Sequence, residues 1–191
     1  MKYLNIITAT KSKLRAASVA IALLLAVADQ ARATVVDVGP NGFTLKVTAH
    51  VSAPPNKLYS ALIKPASWWD SEHTFSGAAA NLTLDAKAGG CWCEKLPHGG
   101  SAMHMTVVLA DPGKMLRLRG ALGPFQGLGV EGVMTLALKS LADGTELSLT
   151  YALGGYNKEG FDSWAQGADG VLADQVSRLK LLLETGSPQK R

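Results

Sequence analysis

Residues 145–184 read TELSLTYALGGYNKEGFDSWAQGADGVLADQVSRLKLLLE, and the change of period within this stretch decides the fold. Leu147, Leu149, Tyr151 and Leu153 alternate with Glu146, Ser148 and Thr150. A period of two predicts a strand over 146–153 with one buried face. Gly154 to Gly160 reads as a loop. From Asp162 or Ser163 to about Glu184 the period becomes 3.6. Trp164, Ala168, Val171, Leu172, Val176, Leu179, Leu182 and Leu183 form one apolar stripe, while Asp169, Asp174, Arg178 and Lys180 fall largely on the other side. This is an amphipathic helix, and Gly186-Ser187-Pro188 ends it.

Working back from this stretch, Asp143-Gly144 is a strong hairpin signal that joins 146–153 to a strand over 133–141. Further strands are predicted at 81–85, 91–95, 103–109 and 115–120, separated by Gly89-Gly90, by Pro97-His98-Gly99-Gly100 and by Asp111-Pro112-Gly113. Phe43, Leu45, Val47, Ala49 and Val51 alternate with polar residues and form the inner face of a first strand. Ser52-Ala53-Pro54-Pro55 then opens a helix carrying Leu58, Tyr59, Leu62 and Ile63. Pro65 stops it, and a second short helix ends in Trp68-Trp69-Asp70. The order is strand, two short helices, six strands and a long helix. The expectation is an α+β fold: a curved, seven-stranded antiparallel sheet wrapped around the C-terminal helix, with a cavity wherever the helix does not fill the sheet.

The amino-terminal end reads differently. Lys2, Lys11, Lys13 and Arg15 precede the apolar run AASVAIALLLAVA at 16–28 and then Ala31-Arg32-Ala33. A basic lead, a short apolar run and a small-x-small site predict a secretory signal over 1–33, cleaved before Thr34. The run is short of the roughly 20 apolar residues a spanning helix needs. An uncleaved anchor is the alternative. Residues 1–33 hold five Lys/Arg and one acid, so 34–191 hold fourteen bases and fourteen acids. The chain's net charge of +4 therefore belongs to the leader, and nothing supports nucleic-acid binding. The expected organisation is a signal (1–33), one domain (34–186) and a polar tail (187–191). The mature protein would be exported, periplasmic or secreted, with no stable membrane span.

Several junctions carry a family resemblance. They are Ser52 through Leu62 followed by Trp68-Trp69, Gly89-Gly90 opening a strand, Asp111-Pro112 before a Leu/Arg strand, Asp143-Gly144-Thr145-Glu146-Leu147, and the terminal helix. In order and spacing the chain resembles the SRPBCC superfamily (START-like, helix-grip proteins), most closely the branch that includes activators of heat-shock-chaperone ATPase. The resemblance covers nearly all of 43–184. It implies a deep apolar cavity between sheet and last helix, but no single function. An export signal argues against the cytosolic chaperone-activator role.

Among chemistry-bearing residues, Cys91-Trp92-Cys93-Glu94 is the one unusual motif. In a regular strand the two cysteine Cβ atoms would lie about 6–7 Å apart, whereas a disulfide needs about 3.8 Å. Without a local kink the expectation is free thiols. These thiols line the cavity as small hydrophobes or, with His98 or His104, hold a soft metal. Glu94 and His104 are the acid/base candidates, placed by alternation on the face opposite Cys91, Cys93, Met103 and Met105. Alternation does not say which face is inner. Arg117 and Arg119 either bind an acidic head group or face water.

The candidate ligand-binding set is Trp68, Trp69, Cys91, Cys93, Met103, Met105, Phe125, Met134, Tyr151 and Trp164. Trp68, Trp69, Phe125 and Trp164 are expected at the cavity mouth, and Trp92 belongs to the same aromatic and Met pattern. No phosphate loop, dinucleotide fingerprint, nucleophile elbow or H-E-x-x-H occurs, and no cofactor is implied. The first expectation is binding of a small hydrophobic molecule, a lipid or aromatic metabolite. The second is a cyclase- or dehydratase-type enzyme using Glu94 or His104. The third is a metal or thiol-redox role at Cys91/Cys93.

Overall fold

The computed structural model describes residues 31–189. All of the expected signal except residues 31–33 lies outside the described residues. Eight strands form one antiparallel sheet: β1 (Arg32–Gly39), β2 (Gly42–Val51), β3 (Leu82–Leu84), β4 (Cys91–Lys95), β5 (Ser101–Asp111), β6 (Met115–Arg119), β7 (Gly129–Leu141) and β8 (Gly144–Tyr156). Their spatial order is β1-β2-β8-β7-β6-β5-β4-β3. Among the described residues two α-helices accompany the sheet, α1 (Pro55–Leu62) and α2 (Asp162–Thr185), together with short 3-10 turns. The architecture is α+β, as expected.

The sheet has eight strands where seven were expected. The extra one is β1, which pairs with β2 from Arg32↔Thr48 to Gly39↔Gly42. It starts inside the expected cleavage motif, so a cut before Thr34 would remove its first two residues. The second short helix is a single 3-10 turn, Pro65–Ser67. The hairpin is also one residue off the Asp143-Gly144 reading. Leu141 pairs with Gly144, leaving Ala142 and Asp143 as its loop.

Alternation along each strand buries one face. Phe43, Leu45, Val47, Ala49 and Val51 of β2 are buried, as are Leu147, Leu149, Tyr151 and Leu153 of β8. Met134, Leu136 and Leu138 of β7 and Leu116 and Leu118 of β6 continue the same face. A single-sided core of this kind is what antiparallel sheets with polar outer faces form. Helix α2 closes it with Ala165, Leu172, Val176 and Leu179, packing chiefly against β1 and β2. Gly186 ends α2 in the left-handed conformation (φ 81°), where the absence of a Cβ removes the steric penalty.

Polar ties fix α2 against the 68–73 segment. Arg178 forms an ion pair with Asp70 (2.9 Å) and donates through Nε to the Trp68 carbonyl (2.9 Å). The buried Gln175 side chain accepts from the Asp70 amide at 2.8 Å. These contacts hold one wall of the site in place.

Candidate functional site

A cavity of about 430 Å³ lies between the amino-terminal half of α2 and the sheet. Trp164, Gly167, Ala168, Val171 and Leu172 line it from α2. Trp92 of β4, His104 of β5 and Tyr151 of β8 line it from the sheet. Two connecting segments complete the wall: Trp69 with Glu72–Phe75, and Leu122–Phe125.

The rings fall into two groups. Trp68, Trp69, Trp92, His104 and Phe75 form a chain of ring contacts, with centroids 5.0 Å apart for Trp69–Trp92 and 5.3 Å for the stacked Phe75–His104 pair. Phe161, Phe43, Phe125, Tyr151 and Trp164 form the second group, with Phe125–Trp164 at 5.3 Å. Both groups contribute rings to the cavity wall.

The polar centre is Glu94–His104. Glu94 is 1% exposed and His104 6%, and His104 Nε2 lies 2.9 Å from Glu94 Oε2. Glu94 also accepts from the backbone amides of Phe75 (3.1 Å) and Ser76 (2.5 Å). Burial pushes this carboxyl up, but hydrogen bonds from Ser76, His104 and Phe75 together outweigh it and hold the group below its ordinary value. The carboxylate therefore pins the 73–76 segment, whose Phe75 ring stacks on His104, over one side of the cavity. Gln126 Nε2 donates to the Met103 carbonyl (3.2 Å) and sits 3.3 Å from His104 Nδ1. With the amide nitrogen so oriented, Nδ1 accepts from Gln126 and Nε2–H donates to Glu94, so both ring nitrogens are engaged.

Tyr151 supplies the other polar group. Its hydroxyl accepts from the Leu122 amide (3.1 Å) and donates to the Gly120 carbonyl (3.3 Å), fastening the Gly-rich turn to the sheet. Burial pushes its pKa up to about 12, so the phenol stays protonated.

An irregularity in β5 sets the inner and outer faces here. Trp92 pairs with Met105 and Cys93 with Met103, so His104 is an extra residue opposite the Trp92–Cys93 step. At such a bulge the alternation slips by one. His104 and Met105 both point inward, with Trp92 and Glu94. Met105 thus departs from the strict alternation that placed it opposite Glu94 and His104.

Cys91 and Cys93 occupy the outer face of β4 and are joined by a disulfide, correcting the expectation of free thiols. The bulge in the paired strand accompanies the local kink that such a bridge requires. Met103 is 61% exposed. Cys91, Cys93 and Met103 therefore do not reach the cavity. Nor do the two cysteines converge with His104, and among the described residues no three His, Cys, Asp or Glu side chains converge as a metal site.

Of the other candidates, Trp69, Phe125, Tyr151 and Trp164 line the cavity. Trp68, expected at the mouth, is 5% exposed and donates to the Ala61 carbonyl at 3.1 Å. It belongs to the packed core, as do Met134 and Met105, each 1% exposed. Arg117 and Arg119 face outward, donating to Thr135 (3.0 Å) and pairing with Glu131 (3.1 Å). His98 sits in an exposed turn. Sequence reasoning missed Phe75, His73 and Leu122, which lie in segments without periodicity. The one available signal was the aperiodic stretch that follows Trp68-Trp69-Asp70.

No family model matches this chain, and no curated protein does. Solved structures do. A conserved protein of unknown function from Enterococcus faecalis is similar over 86% of this chain and 82% of its own, at 18% identity and a TM-score of 0.55. A protein from Mesorhizobium loti is similar over 74% of this chain and 96% of its own, at 20% identity and a TM-score of 0.53. An uncharacterized protein from Rhizobium leguminosarum is similar over 81% and 97%, at 16% identity and a TM-score of 0.54. At these identities the likeness is one of fold.

Proposed function

We propose that this is an exported helix-grip protein of the SRPBCC type that binds a small hydrophobic molecule, a lipid or aromatic metabolite, between its sheet and α2. The carrying observation is the cavity of about 430 Å³ with largely aromatic and aliphatic walls. Ligand sites span roughly 300–1,000 Å³ and combine apolar walls with a few convergent polar groups. Burying about 300 Å² of ligand at about 25 cal/mol/Å² gives on the order of 7 kcal/mol before ordering costs, which supports micromolar-class binding at best. The test is native mass spectrometry and solvent extraction of the secreted form, paired with a filled-cavity variant, Ala168→Phe. Wild-type protein should carry an apolar compound that the variant loses while remaining folded. An empty wild-type cavity that also refuses uncharged apolar probes would sink the proposal. Amino-terminal sequencing of the exported protein tests the leader and should begin at Thr34.

A second reading is a cyclase- or dehydratase-type enzyme. One observation favours it: Glu94 and His104 both face inward, and His104 lines the cavity. In this reading a substrate displaces Gln126 from Nδ1, which then serves as the base. Re-extraction after incubation separates the two. A carrier returns its ligand unchanged in mass and structure, and an enzyme does not.

A further inference from the structure

From the placement of the Cys91–Cys93 disulfide we infer that it is a thiol–disulfide exchange site whose opening is transmitted to the cavity behind it. The cavity arm of this inference rests on the binding function proposed above; the exchange arm does not.

Three observations carry it. First, the bond is accessible. Both cysteines are half-buried on the outer face of β4, and among the described residues the only strand beyond it is the three-residue β3. Cys93 is flanked by exposed Thr83 on β3 and exposed Met103 on β5. An incoming thiolate therefore meets the sulfurs from solvent. Disulfides at the solvent face, within reach of an incoming thiolate, are the labile ones, whereas structural disulfides are protected.

Second, the bond contributes little to holding the fold. Its loop contains a single intervening residue, the short end of the range over which cross-links restrict an unfolded chain. The sheet that carries Trp92 does not need the bridge for its connectivity.

Third, the bond is coupled to the site. It draws the Cα atoms of Cys91 and Cys93 to 5.4 Å, closer than the roughly 6.6 Å that two steps of extended strand span. The residue between them is Trp92, whose ring walls the cavity. The register slip opposite this step makes His104, another wall residue, the bulge. Releasing the bridge lets β4 extend, moving both rings.

The exchange balances with an external dithiol as reductant. One thiolate attacks the Sγ of Cys91 or Cys93, the Sγ–Sγ bond breaks, and the other cysteine leaves as a thiolate. The second thiol of the reagent, once deprotonated, attacks the mixed disulfide and releases the remaining cysteine. The dithiol loses two electrons and becomes a disulfide. The protein gains two electrons, and its thiolates take protons from solvent.

The test uses the full chain with dithiothreitol as the dithiol and N-phenyl-1-naphthylamine as an uncharged cavity probe. Millimolar dithiothreitol should expose two thiols per chain without abolishing cooperative unfolding, and should shift tryptophan emission. It should also weaken probe binding at least threefold, and reoxidation should restore every value. A Cys91→Ser/Cys93→Ser variant should match the reduced protein and ignore the reagent; if it does not fold, reduced wild-type protein gives the same comparison. Thiols that appear only on unfolding would overturn the exchange site. Two thiols with unchanged emission and unchanged affinity would overturn the coupling. Absence of probe binding in both redox states counts against the proposed ligand function, while thiol count and emission still decide this inference.

Discussion

Replacing Glu94 with Gln removes a charge while keeping the shape, and its cost can be worked from the contacts. The carboxylate takes three donors: the Ser76 amide on Oε1, and the Phe75 amide and His104 Nε2 on Oε2. A glutamine has one acceptor oxygen. With that oxygen in the Oε2 position, two bonds survive in neutral form, and the NH₂ group confronts the Ser76 N–H. Hydrogen bonds to charged groups contribute about 1.5–3 kcal/mol, and a buried donor left alone costs about 1–3 kcal/mol. The expected loss is therefore about 3 kcal/mol at pH 7, or roughly 6–12 °C in Tm for a domain of this size. The pH dependence follows from linkage. The folded pKa of Glu94 is depressed, so its contribution is fully present above the ordinary glutamate value, about 4.3, and is lost as pH falls through the folded value. Urea unfolding of both proteins should show a constant gap from pH 7 to about 5 that closes in more acid solution. Hydrogen exchange at the Phe75 and Ser76 amides should accelerate in the variant. A gap under about 0.5 kcal/mol at pH 7, or one that persists undiminished in acid, refutes the view that this carboxylate pins the segment over the cavity.

Gly132→Ala should cost about 1–3 kcal/mol by overpacking, because an added Cβ would lie 2.6 Å from Cε2 of the buried Tyr151 ring; a neutral result in thermal unfolding would contradict this packing. Tyr151→Phe strands the Leu122 amide and the Gly120 carbonyl, and should cost about 1–3 kcal/mol by denaturant titration. Cys91→Ser/Cys93→Ser should lose no more than about 2 kcal/mol, since the chain-entropy value for so short a loop is about 1.5 kcal/mol; a collapse of Tm would assign the bridge a structural role instead. Phe75→Ala should leave the unfolding midpoint within about 1 kcal/mol, because Phe75 is 49% exposed, yet weaken probe binding in a fluorescence titration.

Most of the architecture was legible because it is written in period. The alternation of Phe43–Val51 and Leu147–Leu153 survives as buried faces, and the stripe from Trp164 to Leu183 survives as the core-facing side of α2, with Leu172, Val176 and Leu179 buried and Trp164, Ala168, Leu182 and Leu183 partly buried. What escaped lacks period or carries a competing one. Strand β1 was hidden because its residues overlap the export motif and because its register slips between Val35 and Asp37, which breaks alternation. The amino-terminal part of β7, from Gly129 to Gly132, reads as loop because it is glycine-rich, but its pairing with β8 continues to Tyr156. At the site, the aromatic residues on regular elements could be placed. Phe75 could not, since its position is fixed by a carboxylate nineteen residues later in the chain.

The one-residue slip in β5 decides the chemistry of the cavity. Suppose the pairing Trp92↔Met105 continued without it. Glu94 would then face Met103, and His104 would point to solvent. The buried carboxylate would keep only two backbone donors, and a thioether would stand where the imidazole does. With the extra residue, alternation reverses: Met103 moves outside to 61% exposure, and His104 comes within 2.9 Å of the carboxylate. Phe75 then has a ring to stack on, at 5.3 Å, and Gln126 has a nitrogen to approach. The segment 73–76 and the turn Gly123–Gly127 both meet that one imidazole, so two walls of the cavity depend on the same backbone irregularity. Deleting one residue from the bulge should therefore damage both walls at once, whereas a side-chain change at Phe75 or Gln126 should damage only its own.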